Sequence, residues 1–176
     1  NWALGRWRLR EDSASPSTEQ LKSLKIVHVL MSMMMMMNTT NTIWSFVTAN
    51  VTSWGPMCAY LQGMGKGHNN IYAIQEHHAG VERLGEVQDR VLDLGYRALW
   101  TPASTTGRGG TTGGAAILAP TSTTITSPPG LDTHILWEAR AIAAHCHWGV
   151  KGGLVVVCVY LNTDLGFLGE NLSIIW

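Results

Sequence analysis

Cysteine is scarce in this chain: three among 176 residues, Cys58, Cys146 and Cys158. An odd count at wide spacing is not a disulfide framework, and no C-x-x-C pair is present to hold structural zinc. Two of the three lie in apolar strand patterns, where cysteine acts as a small buried hydrophobe. A reducing compartment is therefore expected: intracellular, with the nucleus among the candidates. Long apolar runs are missing too. The longest, "IVHVLMSMMMMM" (26–37), is well short of the roughly 20 residues of a membrane-crossing helix. It has no small-residue cleavage site of a secretory signal, so no membrane partner is expected. Charge is also low, at 14% of residues with a formal net charge of zero. Of the twelve basic and twelve acidic groups, five and three fall in residues 1–42, leaving seven and nine in residues 43–176. Proteins that grip nucleic acid by its backbone carry an excess of Lys and Arg. Strong non-specific DNA binding by this segment alone is not expected. An initiating methionine is also lacking. The chain opens on Asn1 and stops inside the apolar "GENLSIIW", and it reads as a piece of a longer polypeptide.

What is present is a 45% hydrophobic chain, long enough for one domain with a core. Residues 1–42 are compositionally odd. "EDSASPSTEQ" is polar and turn-rich, and "MSMMMMMNTTNT" is low in complexity. This stretch is expected to be a tail or a translated repeat. Regular pattern starts at Ile43. "IWSFVTANV" predicts a strand. Met57, Leu61 and Met64 then lie on one helical face, stopped by Gly65 and Gly67. "NIYAIQE" predicts a second strand. A helix is expected from Val81, with Val81, Leu84, Val87, Val91 and Leu94 as its apolar stripe and Gly95 just past its end. "YRALWTP" and "AAILAP" predict two more strands around the glycine-rich loop "STTGRGGTTGG". "TSTTITSPPGLD" reads as a loop or an edge strand. "EARAIAAHCHW" alternates, with Ile142, Ala144, Cys146 and Trp148 on one face and Ala141, Ala143, His145 and His147 on the other. "VKGG" predicts a hairpin turn. "LVVVCVYLN" is apolar on both faces, as for a central strand covered on both sides. This order suggests α/β or α+β layers with two sheets packed together.

Three residues stand where chemistry is often placed, at the ends of strands beside loops. Glu76 follows "IYAIQ" and precedes a helix. It is a candidate ligand for a hard cation, which needs only one or two protein carboxylates because it keeps several waters. Its competing reading is a helix cap. Asn50 ends the first strand, where its amide could hydrogen-bond a metal-bound water or a phosphate oxygen; the alternative is a turn asparagine. Tyr160 ends "VVCVY", where its phenol could donate to a phosphate oxygen; the alternative is a half-buried strand-end tyrosine.

The stretches "TANVTSW", "IYAIQEHH", "GYRALWTPA", "GRGGTTGGAAILAP", "ARAIAAHCHW" and "LVVVCVYLN" fall in an order that resembles the endonuclease/exonuclease/phosphatase superfamily. The superfamily includes deoxyribonuclease-I-like enzymes, apurinic endonucleases, inositol phosphatases and the endonuclease domains of LINE-type retrotransposons. The Thr/Gly loop and "WTPA" resemble the retrotransposon branch most. The resemblance covers residues 43–176 and implies the N-terminal half of a two-sheet α/β sandwich, deoxyribonuclease-I-like and incomplete at its C-terminus. It implies a Mg²⁺-dependent phosphodiester hydrolase acting on DNA, with Glu76 as the metal ligand, Asn50 as the amide near the metal and its water, and Tyr160 as the phenol near the scissile phosphate. Arg140 matches a strand arginine of the family and is expected to be structural.

The sequence also departs from that pattern. The family's loop after the tyrosine reads close to Y-x-P-N. Here it is "YLNTD", with Thr163 where the asparagine is expected. The later G-D-x-N and S-D-H motifs, which supply the base and the closing histidine, are absent. Asp132 and Asp164 lack that context, and all seven histidines precede Trp148. The chain alone is therefore expected to be inactive, and these expectations have rivals: a phosphatase or deadenylase of the same superfamily, or a degenerate fragment without enzymatic role. His145 and His147 share a strand face but lack a visible third zinc ligand. His77 and His78 are expected to point apart on a strand. "GMGKG" and "GRGGTTGG" fit no phosphate-loop pattern.

Overall fold

The computed structural model describes residues 45–64, 70–147, 152–161 and 169–175. The expected tail, residues 1–42, lies outside them, as do Trp148, Thr163 and Asp164. The fold is mixed α/β, with several sheets and few helices.

The first strand, β1 (Ser45–Asn50), leads into helix α1 (Trp54–Met64) and back to β2 (Asn70–Gln75), which pairs with β1 in parallel. A 3-10 turn (Val81–Arg83) opens helix α2 (Leu84–Asp93), followed by β3 (Tyr96–Thr101). A two-stranded hairpin, β4 (Ser104–Thr105) with β5 (Thr111–Thr112), rises from what the sequence shows as a loop. Next, β6 (Ala115–Pro120) enters between β2 and β3 and runs antiparallel to both, giving the order β1-β2-β6-β3. A second sheet is built from β7 (Thr124–Thr126), β8 (Ile135–Trp137), β9 (Ala141–His147) and β10 (Leu154–Val159), with β9 pairing to the other three. A short helix, α3 (Glu170–Ile175), comes last.

Alternation along the strands divides the apolar side chains into two clusters. Tyr72, Ile74, Ala116, Leu118, Tyr96 and Trp100 face α1 and α2, meeting Met57, Cys58, Leu61, Val87 and Val91. On the opposite face of the same sheet, Ile71, Ala115, Ile117 and Ala119 meet Ile142, Ala144, Cys146 and Cys158 of β9 and β10. The expected alternation of β9 holds for its described members: Ile142, Ala144 and Cys146 share the face packed on the first sheet, while Ala141, Ala143 and His145, on the other face, are buried too.

Two expectations fail at their ends. Val81 was expected on the helical stripe but is 72% exposed. It sits in the 3-10 turn, whose period of three per turn carries it off the 3.6-residue stripe that buries Val87 and Val91. The "LVVVCV" strand was expected to be covered on both faces. Among the described residues β10 pairs only with β9, at the end of its sheet, and Val155 and Val157 are 48% and 52% exposed. Val156 and Cys158 alternate inward, so the run is apolar on both faces although only one is packed. Gly95 does follow α2 with φ +87°, a conformation only glycine adopts without strain.

Candidate active site

The strand ends that carry the candidates are tied together by backbone hydrogen bonds. Asn50, the last residue of β1, stands in register with Gln75 at the end of β2, and the next amide, Val51 N–H, donates to the Gln75 carbonyl at 2.8 Å. Parallel pairing thus puts Asn50 beside the position just before Glu76. Cys158 of β10 directs its thiol to the Ile74 carbonyl at 3.4 Å. Tyr160 lies two residues beyond Cys158, and Glu76 two beyond Ile74. The Tyr160 amide donates to the Arg140 carbonyl at 2.7 Å, and the Arg140 guanidinium carbon sits 5.2 Å from the centroid of the Tyr160 ring. All three candidates therefore occupy one end of the strands, with Arg140 placed against the phenol. Their residues are half-buried, reachable from solvent yet held by their surroundings.

Glu76 does not cap the following helix. The residue before the 3-10 turn is Gly80, and no side chain caps it. Instead Glu76 has φ +58°, and His78 has φ +55°. Left-handed backbone costs a residue with a Cβ about 1–2 kcal/mol, and such conformations persist only where the surroundings over-determine them. Here the surroundings are the glycine pair before β6. His77 and His78 N–H donate to the Gly114 and Gly113 carbonyls at 3.4 and 3.2 Å, and Gly114 N–H donates to Ala139 at 2.8 Å. A Cβ on Gly114 would lie 2.5 Å from the His77 ring, and Gly114 has φ +88°. The last two glycines of "GRGGTTGG" are thus required by close approach, which the sequence alone does not reveal.

His77 and His78 were expected on a strand; both lie in the loop after β2. They do point apart. His78 Nδ1 meets the Thr111 carbonyl at 2.7 Å, and Thr111 Oγ1 donates back to the His78 carbonyl at 2.9 Å, fixing the base of the β4–β5 hairpin. His77 is buried edge-on against Trp100. Its Nδ1 accepts the Ala79 amide at 3.0 Å, so its proton is on Nε2, which donates to the Thr101 carbonyl at 3.2 Å. Burial lowers its pKa to about 4, against the weaker opposing effect of the Thr101 carbonyl. The ring is a neutral strut.

Other nucleophiles and ligands are weaker. Burial raises the thiol pKa of Cys146 to about 11 and of Cys158 to about 12, so neither is thiolate at neutral pH. His145 and His147 meet edge-on with ring centroids 4.1 Å apart, and His145 Nε2 is already engaged with the Gly152 carbonyl at 2.7 Å. Among the described residues no three of His, Cys, Asp and Glu cluster to hold a metal. The oxygen donors at the strand ends, the Glu76 carboxylate and the Asn50 amide, suit a hard cation that retains most of its waters, which such a three-residue cluster would not describe. No helix among the described residues is long and apolar enough to cross a membrane. No protein-family model, curated protein or solved structure matches the chain.

Proposed function

We propose that this chain carries the metal-binding half of a phosphodiester-hydrolysing site, of DNA-endonuclease type, on a deoxyribonuclease-I-like two-sheet α/β sandwich. The reading rests on one observation: Asn50, Glu76 and Tyr160, the residues that the superfamily resemblance selects, lie at one end of the strands, joined through Gln75, Gly114 and Arg140. Glu76 would hold Mg²⁺, with the Asn50 amide near the metal and its water; when bound, the ion supplies charge that stabilises the phosphoryl oxygens and the leaving group. Asn50 orients a water or a phosphate oxygen through its amide. Tyr160 donates its phenolic hydrogen bond to a phosphate oxygen, and the Arg140 cation beside the ring favours that anionic neighbour. A general base contributes about 10²- to 10⁴-fold, and the sequence lacks the motif that would provide one.

The test joins binding and turnover. Mn²⁺, as a paramagnetic stand-in for Mg²⁺, is expected to broaden NMR signals near Glu76 and Asn50. Glu76→Ala is expected to remove that broadening together with any Mg²⁺-dependent nicking of plasmid DNA. Nicking or broadening that survives Glu76→Ala rejects the role of Glu76. Folded protein with neither broadening nor nicking supports the rival reading, a non-enzymatic relic. Hydrolysis of a phosphomonoester in preference to DNA would instead favour the phosphatase branch.

A further inference from the structure

A cleft of about 200 Å³ opens beside Arg140, between the base of the β4–β5 hairpin and the turn that joins β8 to β9. Ser104, Thr112, Trp137, Glu138, Ala139 and Arg140 line it, with the Gly113 backbone. Its volume is below the roughly 300 Å³ at which drug-sized pockets begin, and suits a single ring system.

The turn beneath it is rigidly built. Arg140 N–H returns to the Trp137 carbonyl at 3.1 Å, and Ala139, third in the turn, has φ +56°. A turn with positive φ at that place normally takes glycine or asparagine. Alanine is held there because its N–H donates to Thr101 Oγ1 at 2.8 Å and its carbonyl accepts the Gly114 amide at 2.8 Å. A Cβ on Gly113 would come within 2.6 Å of that carbonyl, so the hairpin base and the turn are pressed together. His134 Nε2 donates to the Trp100 carbonyl at 3.0 Å and anchors the approach to β8. On this anchored turn Trp137 is left 39% exposed. An exposed aromatic ring lining a polar, ring-sized cleft offers a base a stacking face.

We propose that the cleft is a base-binding subsite, taking the nucleobase next to the scissile phosphodiester. This rests on the phosphodiesterase reading above, since Arg140 joins the cleft to Tyr160 through its backbone and its guanidinium. The base stacks on Trp137. The Glu138 carboxylate accepts hydrogen bonds from exocyclic amino and ring N–H groups, as acidic side chains do with the cytosine amine. The Ser104 and Thr112 hydroxyls donate or accept as the base requires. Thymine has no exocyclic amine and carries carbonyl oxygens that face the carboxylate unfavourably. Guanine, with adjacent N–H donors, is the preferred occupant.

The experiment is saturation-transfer NMR on the full chain with guanosine and thymidine monophosphates. Saturation is expected on the guanine ring proton, with binding at least several-fold weaker for thymidine. Trp137→Ala is expected to weaken guanosine monophosphate binding about tenfold, the order found for loss of one stacking partner. Glu138→Gln, at an exposed position, is expected to leave the circular dichroism spectrum unchanged and to erase the guanine preference while weak stacking persists. Absence of base binding overturns the proposal, and so does base binding unchanged in both variants. Glu76-dependent nicking without base binding would leave the catalytic reading standing and this subsite rejected. Base binding lost in Trp137→Ala, with no metal binding at Glu76, would do the reverse.

Discussion

His77 shows how much of the local geometry one side chain can hold. Its neutral ring bridges the Ala79 amide and the Thr101 carbonyl, stands on Trp100 and sets how near Gly114 approaches. Protonation would place a hydrogen on the nitrogen that accepts from Ala79, so the folded state resists it. The folded pKa, about 4, lies below the ordinary histidine value of 6.5. Between those values the unfolded chain binds a proton and the folded chain does not. Stability is therefore unaffected by His77 above pH 6.5, falls as pH drops from 6.5 towards 4, and levels below that. At about 1.4 kcal/mol per pKa unit the full loss is about 3 kcal/mol. Urea unfolding of the wild type at pH 7.5 and pH 4.5 should show most of it. His77→Asn should be less stable at pH 7.5 and lose clearly less on acidification. An equal loss in both proteins would assign the acid sensitivity elsewhere. Glu76 makes a second case at this scale. Its φ of +58° suits glycine, so Glu76→Gly should leave the protein equally stable or up to about 1 kcal/mol more stable while Mn²⁺ broadening disappears. Destabilisation beyond 1 kcal/mol would mean that the carboxylate supports the fold.

At the scale of elements, β10 raises the issue of an open edge. "LVVVCV" has no charge and no proline, pairs only with β9 among the described residues, and exposes Val155 and Val157. Such an edge is a template for pairing with another copy, which natural sheets usually blunt with lysine. Val157→Lys should change stability by no more than about 0.5 kcal/mol and lower concentration-dependent light scattering. Unchanged scattering would place self-association on another surface. The same strand marks where the sequence stops being legible. Its alternation distinguishes Val156 and Cys158 from Val155 and Val157, but an apolar run cannot say which face is packed. The helical stripe of α2, the glycine after it and the alternation of β9 were legible because each is a local pattern. The β4–β5 hairpin, the short β8 strand and the turn at Ala139 were not. They depend on contacts between distant segments, such as Gly114 with His77 and Ala139 with Thr101. Of the candidate site, the strand-end positions of Asn50, Glu76 and Tyr160 could be read from pattern. The left-handed backbone at Glu76 and the cleft beneath Trp137 could not, because no local signal marks a strained non-glycine residue.

For the whole molecule, cooperativity turns on β6. Its six residues are all buried, and they alternate between the two apolar clusters: Ala116 and Leu118 towards α1 and α2, Ala115, Ile117 and Ala119 towards β9 and β10. Neither cluster can lose this strand without exposing the other. The two clusters should therefore unfold together, in one transition seen equally by tryptophan fluorescence and by far-ultraviolet circular dichroism. Trp54 and Trp100, two of the eight tryptophans, lie in the helix-side cluster and pack edge-on at 5.4 Å, so their share of the fluorescence reports that side, whereas circular dichroism reports both sheets. Leu118→Ala and Ile117→Ala each remove a fully buried side chain from one cluster. Each should cost about 2–5 kcal/mol and move both signals by the same amount. If Ile117→Ala shifted circular dichroism and left the fluorescence midpoint in place, the sheets would be separable units. If the wild type gave no cooperative transition by either probe, the geometry that holds Glu76 and Trp137 would not persist in solution, and the strand-end residues could not act as one site.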